Sequence, residues 1–170
     1  DRRQRQMCIR DRYKTCMFMK GIFILLNKWD KRFLEMAKLV ASWSKDPSTQ
    51  VGAVAVRNRT VIAQGYNGLP RGMKDTHDRL TVRTLKIKRI VHAEMNAIYN
   101  AAENGVSLKD STVYVVGLPV CHECAKGLIQ VGVKRIVTPQ QDIPEKWQQS
   151  CGDAHLFFEE VGIKWDQIRL

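Results

Sequence analysis

Apolar positions along the chain change period several times, and each change marks an element. Phe33, Met36, Ala37, Val40 and Ala41 recur at helical spacing, with Lys31, Arg32 and Lys38 among the polar positions. A helix is predicted there, capped by Asp30 and stopped by Asp46-Pro47. Two apolar runs, residues 51–56 and 60–64, flank Asn58-Arg59 and predict a hairpin, and residues 65–72 follow as a loop. Periodicity is poor from residue 72 to 91. A helix is predicted from 92 to about 104, closed by Gly105, and a second from 121 to about 131, closed by Gly132, with an apolar strand at 112–116 between them. A strand at 133–137, an irregular polar stretch at 140–149, a helix at 153–161 and a strand from 163 to about 168 complete the chain.

This order predicts an α/β fold in three layers, α/β/α, around a mixed five-stranded sheet, with the helix starts at His92 and Cys121 adjacent at one side. At 170 residues the chain can bury one sizeable core, and residues 29–170 read as one domain. The net charge of +11 resembles a nucleic-acid footprint until it is divided along the chain. Residues 1–28 hold eight Lys and Arg against Asp1 and Asp11, net +6, and the other 142 residues hold only +5. This leader also carries Cys8, Cys16 and the apolar run 21–26, too short for a secretory core or a membrane span. It reads as a disordered or non-native prefix, with a natural start at Met17 or Met19. No membrane association and no nucleic-acid partner is expected.

Two short stretches carry the chemistry. His92-Ala93-Glu94 is followed, 29 residues after the histidine, by Cys121-His122-Glu123-Cys124. One imidazole and two thiolates suit zinc; structural sites normally close with four protein ligands, whereas catalytic sites keep three and leave the last position to water. His92, Cys121 and Cys124 are therefore expected to hold a catalytic zinc, and Glu94 to move protons beside it. Taken singly, each part has an ordinary reading: Cys-x-x-Cys as a redox pair or half of a structural zinc site, His92 as a plain histidine, Glu94 as a solvated helix carboxylate. Helix N-termini at both segments favour thiolates. Only Cys8, Cys16 and Cys151 remain, so no disulfide framework is needed and a reducing cytoplasm is the expected compartment.

His-x-Glu followed by Pro-Cys-x-x-Cys is the signature of the zinc-dependent nucleobase deaminases, and this chain resembles them with one departure: Val120 separates Pro119 from Cys121. The resemblance narrows over four blocks. Ser44-Lys45-Asp46-Pro47-Ser48-Thr49-Gln50-Val51-Gly52-Ala53, Gly65-Tyr66-Asn67-Gly68-Leu69-Pro70, His92-Ala93-Glu94-Met95-Asn96-Ala97-Ile98 and Cys121-His122-Glu123-Cys124-Ala125-Lys126 look like the deoxycytidylate (dCMP) deaminase family, from about Trp29 to the C-terminus. The resemblance implies the cytidine-deaminase fold and the conversion of dCMP and water to dUMP and ammonia, which feeds thymidylate synthesis. It implies that Glu94 passes a proton from the attacking water to the ring nitrogen and then to the departing amine. Ala93 would offer a backbone group to the pyrimidine edge. Many such enzymes are hexamers switched on by dCTP and off by dTTP with magnesium, which implies a homo-oligomer and a second nucleotide site.

Asn67 is the further candidate for substrate binding, since its amide both donates and accepts; the other reading is a turn asparagine in a left-handed conformation before Gly68. Arg71, Arg83, Lys86, Lys88 and Arg89 are unranked candidates for a phosphate, or members of a solvated insertion. Two rival functions stay open: deamination of another cytosine or adenine nucleoside or of RNA, and a zinc-stabilised nucleic-acid-binding module without turnover.

Overall fold

The computed structural model describes residues 27–169, so the leader lies outside the described residues apart from Asn27 and Lys28. The elements in chain order are α1 (Lys28–Ala41), β1 (Gly52–Arg57), β2 (Thr60–Tyr66), α2 (His77–Thr81), α3 (Arg83–Lys86), α4 (Ala93–Glu103), β3 (Thr112–Val116), α5 (His122–Gln130), β4 (Arg135–Pro139), α6 (Glu145–Glu160) and β5 (Lys164–Ile168). The five strands form one sheet in the order β2-β1-β3-β4-β5. β1 pairs antiparallel with both β2 and β3, whereas β3–β4 and β4–β5 are parallel. The predicted mixed sheet is thus observed, with the hairpin forming its antiparallel edge.

Side chains alternate across the sheet with period two, and each face has its own core. Ala53, Ala55, Val113, Val115 and Ile136 face α4, α5 and α6, with Ala93, Ala97, Ala101, Leu128, Ala154 and Phe158 packed on them. Val54, Val56, Tyr114, Val116 and Val137 face the other way, onto Phe33, Leu34, Ala37, Val40 and Ala41 of α1. Three helices on one face and one on the other make the three layers.

Several boundaries differ from the sequence expectation, each for a physical reason. Asn27, not Asp30, caps α1, its side chain accepting from Trp29 N at 3.1 Å. Asp30 is instead turned into the core, where Tyr114 Oη donates to it at 2.7 Å and Arg135 at 2.9 and 3.0 Å. β4 starts at Arg135 because Val133 N is used in closing α5, donating to Leu128 O at 3.1 Å. Helix α6 begins at Glu145, eight residues before the expected start, so most of the stretch expected to be irregular is helical. Residues 72–91 hold the two short helices α2 and α3 and return to a single bridge, in which Gly68 and Val91 exchange backbone hydrogen bonds of 3.1 and 2.8 Å.

Candidate metal centre

The site lies where α4 and α5 begin. His92 is the residue before α4 and Glu94 sits in its first turn; Cys121 stands before α5 and Cys124 in its first turn. Two close approaches bring these ends together. A Cβ at Gly65 would collide with Ala97 N and Ala93 O, so only glycine lets α4 lie so tightly on β2, with the stripe Ala93, Ala97 and Ala101 turned inward. A Cβ at Gly127 would lie 2.8 Å from Met95 Sδ and 3.1 Å from Ile98 Cδ1, the ends of flexible side chains, so α5 also lies close on α4, though with room for those side chains to shift.

His92 Nδ1 lies 3.4 Å from both Cys121 Sγ and Cys124 Sγ. The three donor atoms fall within 4.8 Å of one another, and both cysteines are buried. Nitrogen and sulfur bound to zinc at ~2.0–2.1 and ~2.3 Å with a tetrahedral angle stand roughly 3.6 Å apart, so the observed spacing suits that ion. The two thiols titrate as a pair. The hydrogen bond from Cys124, together with His92 and the Cys124 backbone N–H, pushes the Cys121 thiol down to about 4, while the same bond and burial push Cys124 up. A divalent cation is what would hold both sulfurs as thiolates.

Glu94 is 3 % exposed. Burial, added to by the Cys121 charge and opposed by hydrogen bonds and His92, pushes its carboxyl up to about 7. A carboxyl poised there can both take and give a proton near neutrality. Ala93 is fully buried at the first position of α4, where no earlier turn supplies an acceptor for its N–H.

Asn67 sits one residue before the Gly68–Val91 bridge and hence beside the approach to His92. It has no positive φ, so the left-handed turn reading fails. Its Oδ1 accepts from Val51 N at 2.8 Å, and its Nδ2 donates to Thr49 O at 2.9 Å and to Asp46 Oδ2 at 3.5 Å. Both amide protons are therefore used within the chain, and Oδ1 keeps one lone pair for a ligand.

The basic candidates separate. Arg71 is bonded to Glu103 and to Asn100 Oδ1 on α4. Lys86 Nζ is half-buried, 3.0 Å from Asp46 and 2.6 Å from Ser48 Oγ. Arg89 donates to Leu85 O at 3.0 Å. The side chains of Arg83 and Lys88 are exposed and make no hydrogen bond or ion pair among the described residues. Sequence reasoning missed Asp46, which read as a helix stop. The structure buries it as the acceptor for Ser48 N and Oγ, Thr49 N and Lys86, and these bonds outweigh burial and hold its carboxyl below the ordinary value. An Asp-Pro-Ser-Thr string is the signal that an Asx turn leaves.

Comparison with known proteins fixes the family. The sequence model for the cytidine and deoxycytidylate deaminase zinc-binding region matches residues 27–140. The chain belongs to that family. A protein of Aliivibrio fischeri named as an uncharacterized deaminase in the luxG 3' region is 37 % identical over 142 residues, covering 82 % of this chain and 93 % of its own. Human deoxycytidylate deaminase is 39 % identical over 144 residues, covering 80 % of this chain and 77 % of its own. Among solved structures, the apo dCMP deaminase of cyanophage S-TIM5 superposes with a TM-score of 0.66 at 22 % identity, over 82 % of this chain and 96 % of that one, which shows the shared fold. The family's zinc and the His-Cys-Cys group agree, and the deaminase's cofactor is zinc.

Proposed function

We propose that this chain is a zinc-dependent deoxycytidylate deaminase that converts dCMP and water to dUMP and ammonia, supplying the precursor of thymidylate. The observation that carries it is the juxtaposition, at two helix starts, of the three-donor group with a buried carboxyl pushed up to about 7. Identity of 39 % to human deoxycytidylate deaminase over 144 residues supports the substrate.

His92, Cys121 and Cys124 hold the zinc, which supplies Lewis acidity and makes water a nucleophile near neutral pH. Glu94 takes the proton of the attacking water and delivers it to the ring nitrogen next to the amino-bearing carbon. The same carboxylate then takes the remaining proton from the hydroxyl now on that carbon and gives it to the amine, so that the carbonyl forms, ammonia departs and the carboxylate ends as it began. Ala93 N–H faces the pyrimidine edge, and Asn67 receives a sugar hydroxyl on Oδ1 while its two amide protons fix the 46–51 loop. Arg83 and Lys88, free of partners among the described residues, are the cations left for the phosphate. On the same reading the enzyme is a cytoplasmic homo-hexamer, activated by dCTP and inhibited by dTTP with magnesium. The family resemblance supports that last part. Among the described residues no helix is long and apolar enough to cross a membrane.

Ammonia release from zinc-loaded protein, measured over dCMP, cytidine, dCTP and RNA, tests the reading. dCMP should be preferred, and Glu94→Gln should bind zinc at parent stoichiometry while losing at least about 99 % of turnover, the lower end of a general acid–base contribution of 10²–10⁴. Preference for any other substrate, or a Glu94→Gln variant near the parent rate, overturns it.

A further inference from the structure

Helix α5 has a problem at its start. The first N–H groups of a helix have no partner within it, and a side chain just before the helix usually supplies one. Here that position belongs to Cys121, whose sulfur faces His92 and the Cys124 backbone N–H, which leaves the first N–H of the helix, that of His122, for another acceptor. That acceptor comes from another helix. Ser150, on α6, places its Oγ 3.3 Å from His122 N and accepts that N–H.

The same hydroxyl lies 2.7 Å from His122 Nδ1. On the far side of the ring, His122 Nε2 is 3.1 Å from Glu123 Oε1, a carboxylate oxygen that Lys126 Nζ also reaches at 2.7 Å. Glu123 can only accept, so Nε2 carries a proton, and Nδ1 pairs with the Ser150 hydroxyl. That hydroxyl thus meets both the backbone N–H and the side chain of His122, and the ring between the two cysteines is held from both ends. Cys151, the next residue on α6, is 3 % exposed and faces Pro119 O at 4.0 Å, so the helix seats on the approach to Cys121 at two successive positions.

We infer that Ser150 is a positioning residue for the zinc centre: from α6 it caps the cysteine-bearing helix and fixes the 121–124 turn in its ligating shape. The inference rests on the zinc-deaminase reading. Groups that orient ligands from outside the coordination sphere typically alter metal affinity by about 10–100-fold, and Ser150 acts one residue away from a ligand, which places it at the lower end.

The test compares Ser150→Thr with Ser150→Val in the full chain, two β-branched residues of one shape that differ in the hydroxyl alone. Zinc release to a chromophoric chelator is timed without substrate, and the melting temperature of the zinc-free protein is recorded beside it. Ser150→Thr should release zinc at close to the parent rate and Ser150→Val about tenfold faster, with zinc-free melting temperatures that differ by no more than the few degrees a lost helix cap costs. Equal release rates for the two would overturn the inference. So would a zinc-free Ser150→Val that melts below Ser150→Thr by more than a lost cap explains, since that marks a packing role. A parent protein that binds no zinc defeats the deaminase reading itself, and a zinc-binding parent whose two variants behave alike defeats only the role of Ser150.

Discussion

Replacing Arg135 by methionine should destabilise the domain and reverse the sign of one component of its pH dependence. The guanidinium holds Asp30 through two hydrogen bonds of 2.9 and 3.0 Å and Asp166 through a third of 2.7 Å. Asp166 retains Lys164 at 3.1 Å when Arg135 is removed, so Asp30, with 3 % of its side chain exposed, is the carboxylate left stranded. Removing one partner of a buried pair costs about 3–5 kcal/mol, and a single stranded charge that keeps Tyr114 places this case near 3. For a chain of this length that is roughly 6–12 °C in Tm. In the parent, burial raises the Asp30 carboxyl but the bonds from Arg135 and Tyr114 outweigh it, and the folded value lies below the ordinary one. Its stabilisation is therefore complete above the unfolded value and is lost as pH falls through the folded one. In Arg135→Met burial acts with far less opposition and the folded value rises above the unfolded. Ionising Asp30 then costs stability as pH climbs from about 4 through that raised value. Urea midpoints for both proteins at about pH 5, 6 and 7 should show the deficit narrowing towards low pH; protonation of the zinc ligands affects both alike and cancels. A deficit below about 1 kcal/mol, or one that is flat with pH, would refute the reasoning.

Gly65→Ala should lower stability by about 1–3 kcal/mol, as overpacking does, and depress deaminase activity, because the new methyl meets the α4 backbone at Ala93 and Ala97; urea midpoints and ammonia release check it. Cys124→Ala should lose bound zinc and activity together, read by metal analysis, and full zinc occupancy would remove Cys124 from the ligand set. A strong chelator should lower the Tm of the parent and leave that of Cys124→Ala nearly unmoved, since only the former has metal to lose. dCMP saturation curves with magnesium and dCTP or dTTP should shift in opposite directions by about 1–3 kcal/mol of coupling; curves indifferent to both at millimolar concentration refute regulation.

Local chemistry made much of this legible in the sequence. Asn58 and Arg59 both take positive φ, 52° and 61°, as the tight hairpin they were expected to form requires. Gly105 and Gly132 end α4 and α5 in the left-handed region, at 67° and 74°, where the loss of periodicity placed them. Partners far along the chain decided the rest. Asp30 looks like a cap until Arg135, 105 residues away, claims it. The first half of α6 buries little besides Cys151, so its polar residues carry no periodic signal, and the helix is specified by packing against α5. At the site, spacing foretold which residues would meet, yet nothing in it foretold that Ser150 would reach His122 or that Lys86 would be taken by Asp46.

The Gly68–Val91 bridge makes residues 69–90 an excursion that leaves and re-enters the fold at one point. Such a segment behaves as a socket. The bridge fixes its two ends side by side, with Val91 leading directly into His92, and Arg71 and Lys86 tether it at the surface between them. Doubling the length of a flexible closed loop costs only about 0.6 kcal/mol. Recombination could exchange this stretch for a longer, shorter or differently charged one while the zinc ligands keep their places. New substrate preferences could thus arise here by grafting, without any rebuilding of the chemistry beneath.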